Sequence, residues 1–190
     1  MFIVYAVLAG LALGALAGGR LERLATVELR WLPAIALALA VQVPLFGPLG
    51  EMFGPRDPLP VAIYVATSLV ALGAVVANLA RPGFVLVALG GAANLTAIVA
   101  NGGVMPASPD ALAALGWSSG ADSFSNSAVV DAPALPWLTD VFAMPAGLPL
   151  ANVFSVGDVL IGLGIALFLS RSMVTPRPSH RAGPPLGGRA

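Results

Sequence analysis

Five apolar runs, separated by short polar or Pro- and Gly-rich breaks, dominate the pattern of hydrophobic positions along the chain. Each run approaches the roughly 20 residues that a helix needs to cross the apolar part of a bilayer. Because lipid offers the backbone no hydrogen-bond partners, such segments are expected to be helical. We therefore predict an all-α membrane protein with about five transmembrane helices, at 2–18, 31–49, 60–80, 83–100 and 153–170.

The composition agrees with this pattern. The chain is 58% hydrophobic and 9% charged, with a mean hydropathy of +0.92, whereas soluble domains carry about 25% charged residues. Membrane lipids are the expected surroundings, and a net charge of zero gives no reason to expect a nucleic-acid partner. Cysteine is absent, which excludes disulfides and thiolate metal sites. We expect one transmembrane domain, 1–171, and a disordered tail, 172–190, rich in Pro, Gly and Arg.

The basic residues predict the orientation. All nine are arginines, and only Arg56 falls on the side of the second connection and of the loop 101–152. The other eight share the opposite side: Arg20, Arg23, Arg30, Arg81, Arg171, Arg177, Arg181 and Arg189. Because cytoplasmic connections carry the excess of basic residues, we expect a multi-pass protein of the cell membrane. Its amino terminus and the 101–152 loop would lie outside, and its carboxyl terminus in the cytoplasm.

The outer loop 101–152 is predicted to be partly structured. Ser108 followed by Pro109 and an acid is typical of a helix start, with Ser108 as N-cap. Residues 120–127 are small and polar and predict a mobile stretch. Residues 136–145 are apolar but too short to span, so we expect them to lie at the interface or dip into it. The loop has no basic residue, which makes the outer face acidic through Asp110, Asp122, Asp131 and Asp140.

The last apolar run opens with Ser155 and, three residues later, Asp158. One interpretation is a capping box, in which each side chain accepts a hydrogen bond from a free backbone N–H at the start of the helix. The other makes Asp158 an intramembrane carboxylate, which is costly in lipid and therefore functional by default. Both interpretations remain open at the level of sequence.

Further polar residues lie inside the predicted spans at similar depth, and they are Gln42, Thr67, Ser68 and Asn94. Asn94 and Asn101 are seven residues apart and share a helix face. Such groups either join helices by hydrogen bonds or line a polar cavity open to the outside. In the first run, Ala6, Gly10, Gly14 and Gly18 recur every four residues, which predicts close packing against another helix.

Two sequence motifs resemble an uncharacterised bacterial integral-membrane family known only as a domain of unknown function. The motifs are NGGVMPASP at 101–109 and NVFSVGD at 152–158, together with Thr139–Asp140 between them. Val104 stands where the family usually has an aromatic residue after the Gly pair. The resemblance extends to about Arg171 and implies membrane residence, with no catalytic role to transfer. We expect the two motifs to meet at the outer boundary of the membrane.

The candidate polar site consists of Asn94, Asn101, Ser108, Asp140, Asn152, Ser155 and Asp158. It fits best a non-catalytic module for small-molecule binding or permeation, or an envelope assembly factor. A second hypothesis is an intramembrane enzyme for a lipid-linked substrate, with Asp140 and Asp158 as acid and base. The sequence lacks a phosphate-binding loop and a nucleophile elbow, and no cofactor is expected. A third hypothesis is a structural subunit, in a homo-oligomer or with another membrane protein.

Overall fold

The computed structural model describes residues 1–54, 56–117 and 127–174, and this part of the chain is mostly helical. Two helices of 19 residues are long and apolar enough to cross a membrane: α3 (Pro58–Val76) and α6 (Val156–Val174). Three shorter apolar helices accompany them: α1 (Phe2–Leu16), α2 (Leu32–Leu45) and α4 (Phe84–Ala100). A sixth helix, α5 (Pro109–Ala114), is short and lies in the 101–152 segment.

The helices differ from the predicted runs at several ends. α2 stops at Leu45 instead of 49, where the chain turns just before Pro48, which disfavours helical geometry in the residue that precedes it. A 310 helix, Gly50–Met52, then leads towards α3. At the other end of the chain, α6 continues to Val174, three residues into the predicted tail. The remainder of that tail, from 175, lies outside the described residues, and so do residues 118–126, which include most of the predicted mobile stretch.

α6 lies between α1 and α4, and both contacts are close. A Cβ added at Gly10 of α1 would lie 2.7 Å from the Cα of Ala166, and one at Gly14 would lie 2.6 Å from the Sδ of Met173. The predicted packing role therefore holds for Gly10 and Gly14. It does not hold for Gly18, which follows the helix and has nothing within 4 Å of an added Cβ. The small residues bring the two helix axes close enough for backbone-to-backbone contact.

α3 packs on α4, and α2 packs on the far side of α3. The α2–α3 contact contains hydrogen bonds from Gln42 Nε2 to Thr67 Oγ1 at 2.9 Å and to Ser68 Oγ at 3.3 Å. For these three residues the interpretation as hydrogen bonds between helices is confirmed. The arrangement leaves α1 and α2 at opposite ends of the row α1–α6–α4–α3–α2.

The described parts of the 101–152 segment, 101–117 and 127–152, pack together against the helices at one end of the bundle. Four two-residue strands form two small sheets: β1 (Met105–Pro106) runs parallel to β2 (Ser127–Ala128), and β3 (Phe142–Ala143) runs antiparallel to β4 (Val153–Phe154). Two apolar clusters hold the segment in place. In one, α5 packs on β4 through Ala107, Ala111, Leu115 and Val153. In the other, Met105 and Leu138 pack on α3 and α4 through Tyr64, Val65, Ala97 and Ile98.

Residues 136–145 do not form one continuous element, and their placement at the membrane interface stays a prediction. They consist of a 310 helix, Pro136–Leu138, a buried Thr139–Asp140 pair and strand β3. The physical reason is the backbone of Asp140, whose N–H donates to the carbonyl of Pro106 and whose carbonyl accepts from Ser108 N–H, both at 2.9 Å. These bonds tie the middle of the stretch to the chain after β1.

Candidate functional site

The start of α6 forms the reciprocal pair that the sequence predicts. Asp158 N–H donates to Ser155 Oγ at 3.0 Å, and Ser155 N–H donates to Asp158 Oδ2 at 3.0 Å. Two of the free backbone donors at the helix start are thereby satisfied. Ser155 is completely buried, and Asp158 is partly buried. The capping interpretation is therefore confirmed as geometry.

A residue of α4 joins this capping pair. The Asn94 side chain donates from Nδ2 to Asp158 Oδ1 at 2.9 Å and accepts at Oδ1 from Ser155 Oγ at 2.9 Å. The Asp158 carboxylate fixes which end of the Asn94 amide faces it, because an ionised carboxylate only accepts hydrogen bonds and the amide nitrogen is the donor; the amide oxygen is then left to accept from Ser155. We call these three residues the Asn94–Ser155–Asp158 network. Asp158 is thus both a cap and a hydrogen-bond partner between two helices, while its interpretation as a functional intramembrane carboxylate stays a hypothesis.

Gly157, which lies between Ser155 and Asp158, is required for steric reasons. A Cβ on Gly157 would collide with the side-chain oxygen of Asn94, and a Cβ on Gly90 would collide with the carbonyl of Gly157. α4 and α6 therefore cross here with almost no space between their backbones. In the motif NVFSVGD, the Ser and Asp supply the cap, and the Gly makes room for the partner from α4.

Asp140 is the second acidic group under the 101–152 segment. Its side chain is 5% exposed and accepts a hydrogen bond from Ser127 Oγ to Oδ2 at 2.8 Å. Burial raises the pKa of the Asp140 carboxyl from its ordinary 3.8 to about 7; the bond from Ser127 lowers it, and the negative charge of Asp158 raises it. Asp140 and Asp158 therefore interact electrostatically, and Asp140 exchanges a proton near neutral pH.

Tyr64 of α3 is a member of the site that the sequence analysis missed. Its phenol interacts electrostatically with both Asp140 and Asp158, with the contribution from Asp140 the larger. Its ring packs edge-on against Phe46, with the ring centroids 4.7 Å apart. The sequence contains only a weak indication of this role. Tyr64 is the one large side chain with a polar group in the first half of α3.

The remaining predicted residues bind elsewhere in the same region. Asn101 donates to the Ala134 carbonyl at 3.0 Å and accepts from Ala134 N–H at 2.8 Å, so it anchors the loop instead of joining Asn94. Asn152 Oδ1 accepts from Phe2 N–H at 2.8 Å and attaches the start of α1. Ser108 occupies the N-cap position of α5, but its side chain makes no capping bond; its backbone bonds Asp140 instead.

The two motifs meet through apolar contact. Ala107 of the first and Val153 of the second are buried in one cluster. The polar side chains of the two motifs bind different partners. Asn101 bonds Ala134 within the 101–152 segment, whereas Ser155 and Asp158 bond Asn94 of α4. The proximity that the sequence predicted is thus present, but Asn101 is not part of the network.

The site can hold a proton and accept hydrogen bonds. Within the described residues no group of three or more His, Cys, Asp or Glu side chains could hold a metal ion. In the same part of the chain neither Asp140 nor Asp158 has an ion-pair partner. Both oxygens of Asp158 already accept bonds, whereas Asp140 uses only Oδ2 among the described residues. Asp140 is therefore the group with the capacity to bind something further.

Comparison with known proteins gives a family and no function. No curated protein and no solved structure matches the chain significantly. A family model described as a family of unknown function, DUF5317, matches residues 26–170, which include α2, α3, α4, the 101–152 segment and α6 as far as residue 170. The match confirms the resemblance to a family without assigned function. The chain belongs to DUF5317, a family of unknown function.

Proposed function

We propose that the chain is a multi-pass membrane protein in which all five long helices span or enter the bilayer. Support comes from large apolar side chains that are exposed on each of these helices, among them Leu8, Leu37, Leu69, Leu89 and Leu163. In water such surfaces would favour aggregation, whereas lipid covers them without cost. The arginine distribution supports an outside amino terminus and a cytoplasmic carboxyl terminus.

We further propose that the protein is a non-catalytic binding module whose polar site lies at the outer face, under the 101–152 segment. The observation that supports this most is the interacting pair of the buried Asp140 and the partly buried Asp158, which has no basic partner among the described residues. Buried carboxylates are expensive unless a proton, a cation or hydrogen-bond donors stabilise them. Asp158 has its donors in Ser155 and Asn94, while Asp140 has one donor and a pKa near neutrality.

The ligand class follows from this chemistry. A small solute with a cationic or hydrogen-bond-donating group would satisfy the open oxygen of Asp140, and binding would displace the proton when the ligand is charged. The enzyme hypothesis is less well supported, because it needs both Asp140 and Asp158 as acid and base, and both oxygens of Asp158 already accept hydrogen bonds that hold α6 to α4 and cap it. Permeation would in addition need a polar route along the bundle.

The test is to identify what copurifies with the protein. The intact protein, extracted in mild detergent, is analysed by native mass spectrometry as wild type, Asp140→Asn and Asp110→Asn. Asp110 is a matched control, since it is an exposed carboxylate of α5 in the same segment. We expect a bound species in the wild type and in Asp110→Asn, and its loss in folded Asp140→Asn. Equal occupancy in all three proteins, or none in the wild type, would contradict a ligand site at Asp140.

A further inference from the structure

A second polar region lies at the opposite end of the bundle, where the connection between α1 and α2 meets the turn after α3. Asn78, 4% exposed, accepts from Arg30 N–H at 2.9 Å and donates to the Arg30 carbonyl at 2.8 Å. A third bond, to the Ala74 carbonyl at 2.8 Å, fixes the Asn78 side chain against its own helix. One buried amide thus holds the backbone of Arg30 on both sides.

A second arginine reaches the same connection. Arg81 Nη2 donates to the Glu28 carbonyl at 2.6 Å, two residues before Arg30. Both arginine side chains are exposed, and the guanidinium of Arg30 has no partner among the described residues. Glu28 is the acidic side chain on this turn, so the two arginines and one glutamate leave a net charge of +1.

Exposed apolar residues adjoin the two arginines in the chain. Trp31 follows Arg30 in a left-handed conformation with φ 62° and is 62% exposed. Leu32, at the start of α2, is 49% exposed, and Leu79, on the turn that carries Arg81, is 40% exposed. Tryptophan with arginine at the end of an apolar helix is typical of the boundary between lipid headgroups and acyl chains. We call Arg30, Trp31 and Arg81 the inner boundary cluster.

We propose that the inner boundary cluster binds the headgroup of an anionic phospholipid. A guanidinium forms paired hydrogen bonds with phosphate oxygens, and Asn78 and the Glu28 carbonyl hold the two arginines on one short stretch of surface. Trp31 and Leu32 directly follow Arg30, and Leu79 lies two residues before Arg81, so exposed apolar side chains are available to the acyl chains of the same molecule. A zwitterionic lipid fits less well, because its cationic group would be repelled by the arginines. The inference rests on the membrane placement proposed above and is independent of the site at Asp140.

Trp31 makes the test direct. The full chain is reconstituted in vesicles in the background Trp117→Phe and Trp137→Phe, so that Trp31 is the remaining tryptophan. Its fluorescence is quenched with brominated phosphatidylglycerol or brominated phosphatidylcholine at equal mole fractions. We expect the anionic lipid to quench more effectively, with a preference of about fivefold for each arginine, as expected for one basic side chain at an anionic surface.

A set of substitutions distinguishes the effect of the two arginines of this cluster from the effect of the protein's other positive charges. Arg30→Gln with Arg81→Gln should remove the preference, while the two lysine substitutions should keep most of it. Arg56→Gln is the matched control, since Arg56 is an exposed arginine between α2 and α3 at the other end of the bundle. Arg30→Gln alone, which breaks no side-chain bond of the described residues, should lower the preference by about fivefold even if the double variant folds poorly.

Each contrary result has a distinct meaning. Equal quenching by both lipids in the wild type, or an unchanged preference in Arg30→Gln, would overturn the headgroup site. Loss of the preference on adding millimolar inorganic phosphate would also overturn it, because the cluster would then bind free phosphate. Absence of quenching by either lipid would refute the membrane placement itself. Asp140→Asn should leave the preference unchanged, so failure of the outer site does not affect this measurement.

Discussion

The side-chain amide of Asn94 and the carboxylate of Asp158 lie 2.9 Å apart and join α4 to the first turn of α6. The same amide accepts a hydrogen bond from Ser155, so both members of the cap depend on a residue 61 or more positions earlier in the chain. The 101–152 segment lies between these two helices in the sequence. The network therefore joins the helix that precedes the segment to the helix that follows it.

Substitution of Asp158 separates the roles of its charge and of its hydrogen bonds. Asp158→Ala removes the acceptor for Ser155 N–H and for Asn94 Nδ2, and we expect a loss of about 1–3 kcal/mol in stability. Asp158→Asn keeps one acceptor but turns an NH₂ group towards Asn94 or Ser155, so its melting temperature should lie between those of Asp158→Ala and the wild type. Thermal unfolding in detergent provides the measurement.

Thr96→Val is the control for this series. Thr96 is exposed on α4, two residues after Asn94, and its hydroxyl bonds the Ala92 carbonyl of its own helix. Its melting temperature should remain close to that of the wild type. If Asp158→Asn were as stable as the wild type but lost the copurifying species, the charge of Asp158 would belong to the binding site as well as to the cap.

The helix contact between α1 and α6 predicts an order of three leucine substitutions. Gly10→Leu should be the most damaging, because its side chain meets the backbone of Ala166. Gly14→Leu should be intermediate, since the flexible side chain of Met173 can move. Ala12→Leu, on the exposed face of the same helix, should be tolerated. Yields of monodisperse protein after detergent extraction give the ranking, and equal yields would contradict the packing role of the glycines.

The raised pKa of Asp140 predicts that acid stabilises the protein. The carboxyl has a pKa of about 7 in the folded state against an ordinary 3.8, so between about pH 4 and 7 the folded protein holds a proton that the unfolded chain releases. This contribution to stability is complete below about pH 4 and is lost as the pH rises through 7.

Wild type and Asp140→Asn should therefore diverge with pH. The melting temperature of the wild type should fall by several degrees from pH 5 to pH 8, whereas that of Asp140→Asn should fall less because an amide does not titrate. The difference between the two curves isolates Asp140 from other titrating groups. Parallel curves over this range would show that Asp140 is ionised in the folded protein at all these pH values.

Local patterns explain which parts of the site the sequence predicted. The capping pair Ser155 and Asp158 could be predicted from the sequence because a capping box joins residues three positions apart. The start of α5 at Pro109 could also be predicted from neighbouring residues, although the Ser108 side chain makes no capping hydrogen bond. Gly10 and Gly14 were identified because spacing by four places them on one helix face.

The parts of the site that depend on contacts between residues distant in the chain could not be predicted from the sequence. The partner of Asn101 is Ala134, 33 residues later, and nothing in either neighbourhood specifies that pair. Burial of Asp140 results from bonds to Pro106 and Ser108, which exist only once the loop has folded back. Tyr64 lies in an apolar run, where its hydroxyl contributes nothing to the hydropathy pattern. In each case the sequence supplies the residue type, and the tertiary fold supplies the neighbour.

The orientation of the Asp140 site at the outer face of the membrane is tested most directly by two single cysteines. The chain contains none of its own, so Ala113→Cys on α5 and Ala25→Cys in the first connection can each be labelled without background. Both positions are exposed. With a membrane-impermeant maleimide on intact cells, we expect Ala113→Cys to be labelled at once and Ala25→Cys only after permeabilisation. Labelling of Ala25→Cys but not Ala113→Cys on intact cells would contradict the account.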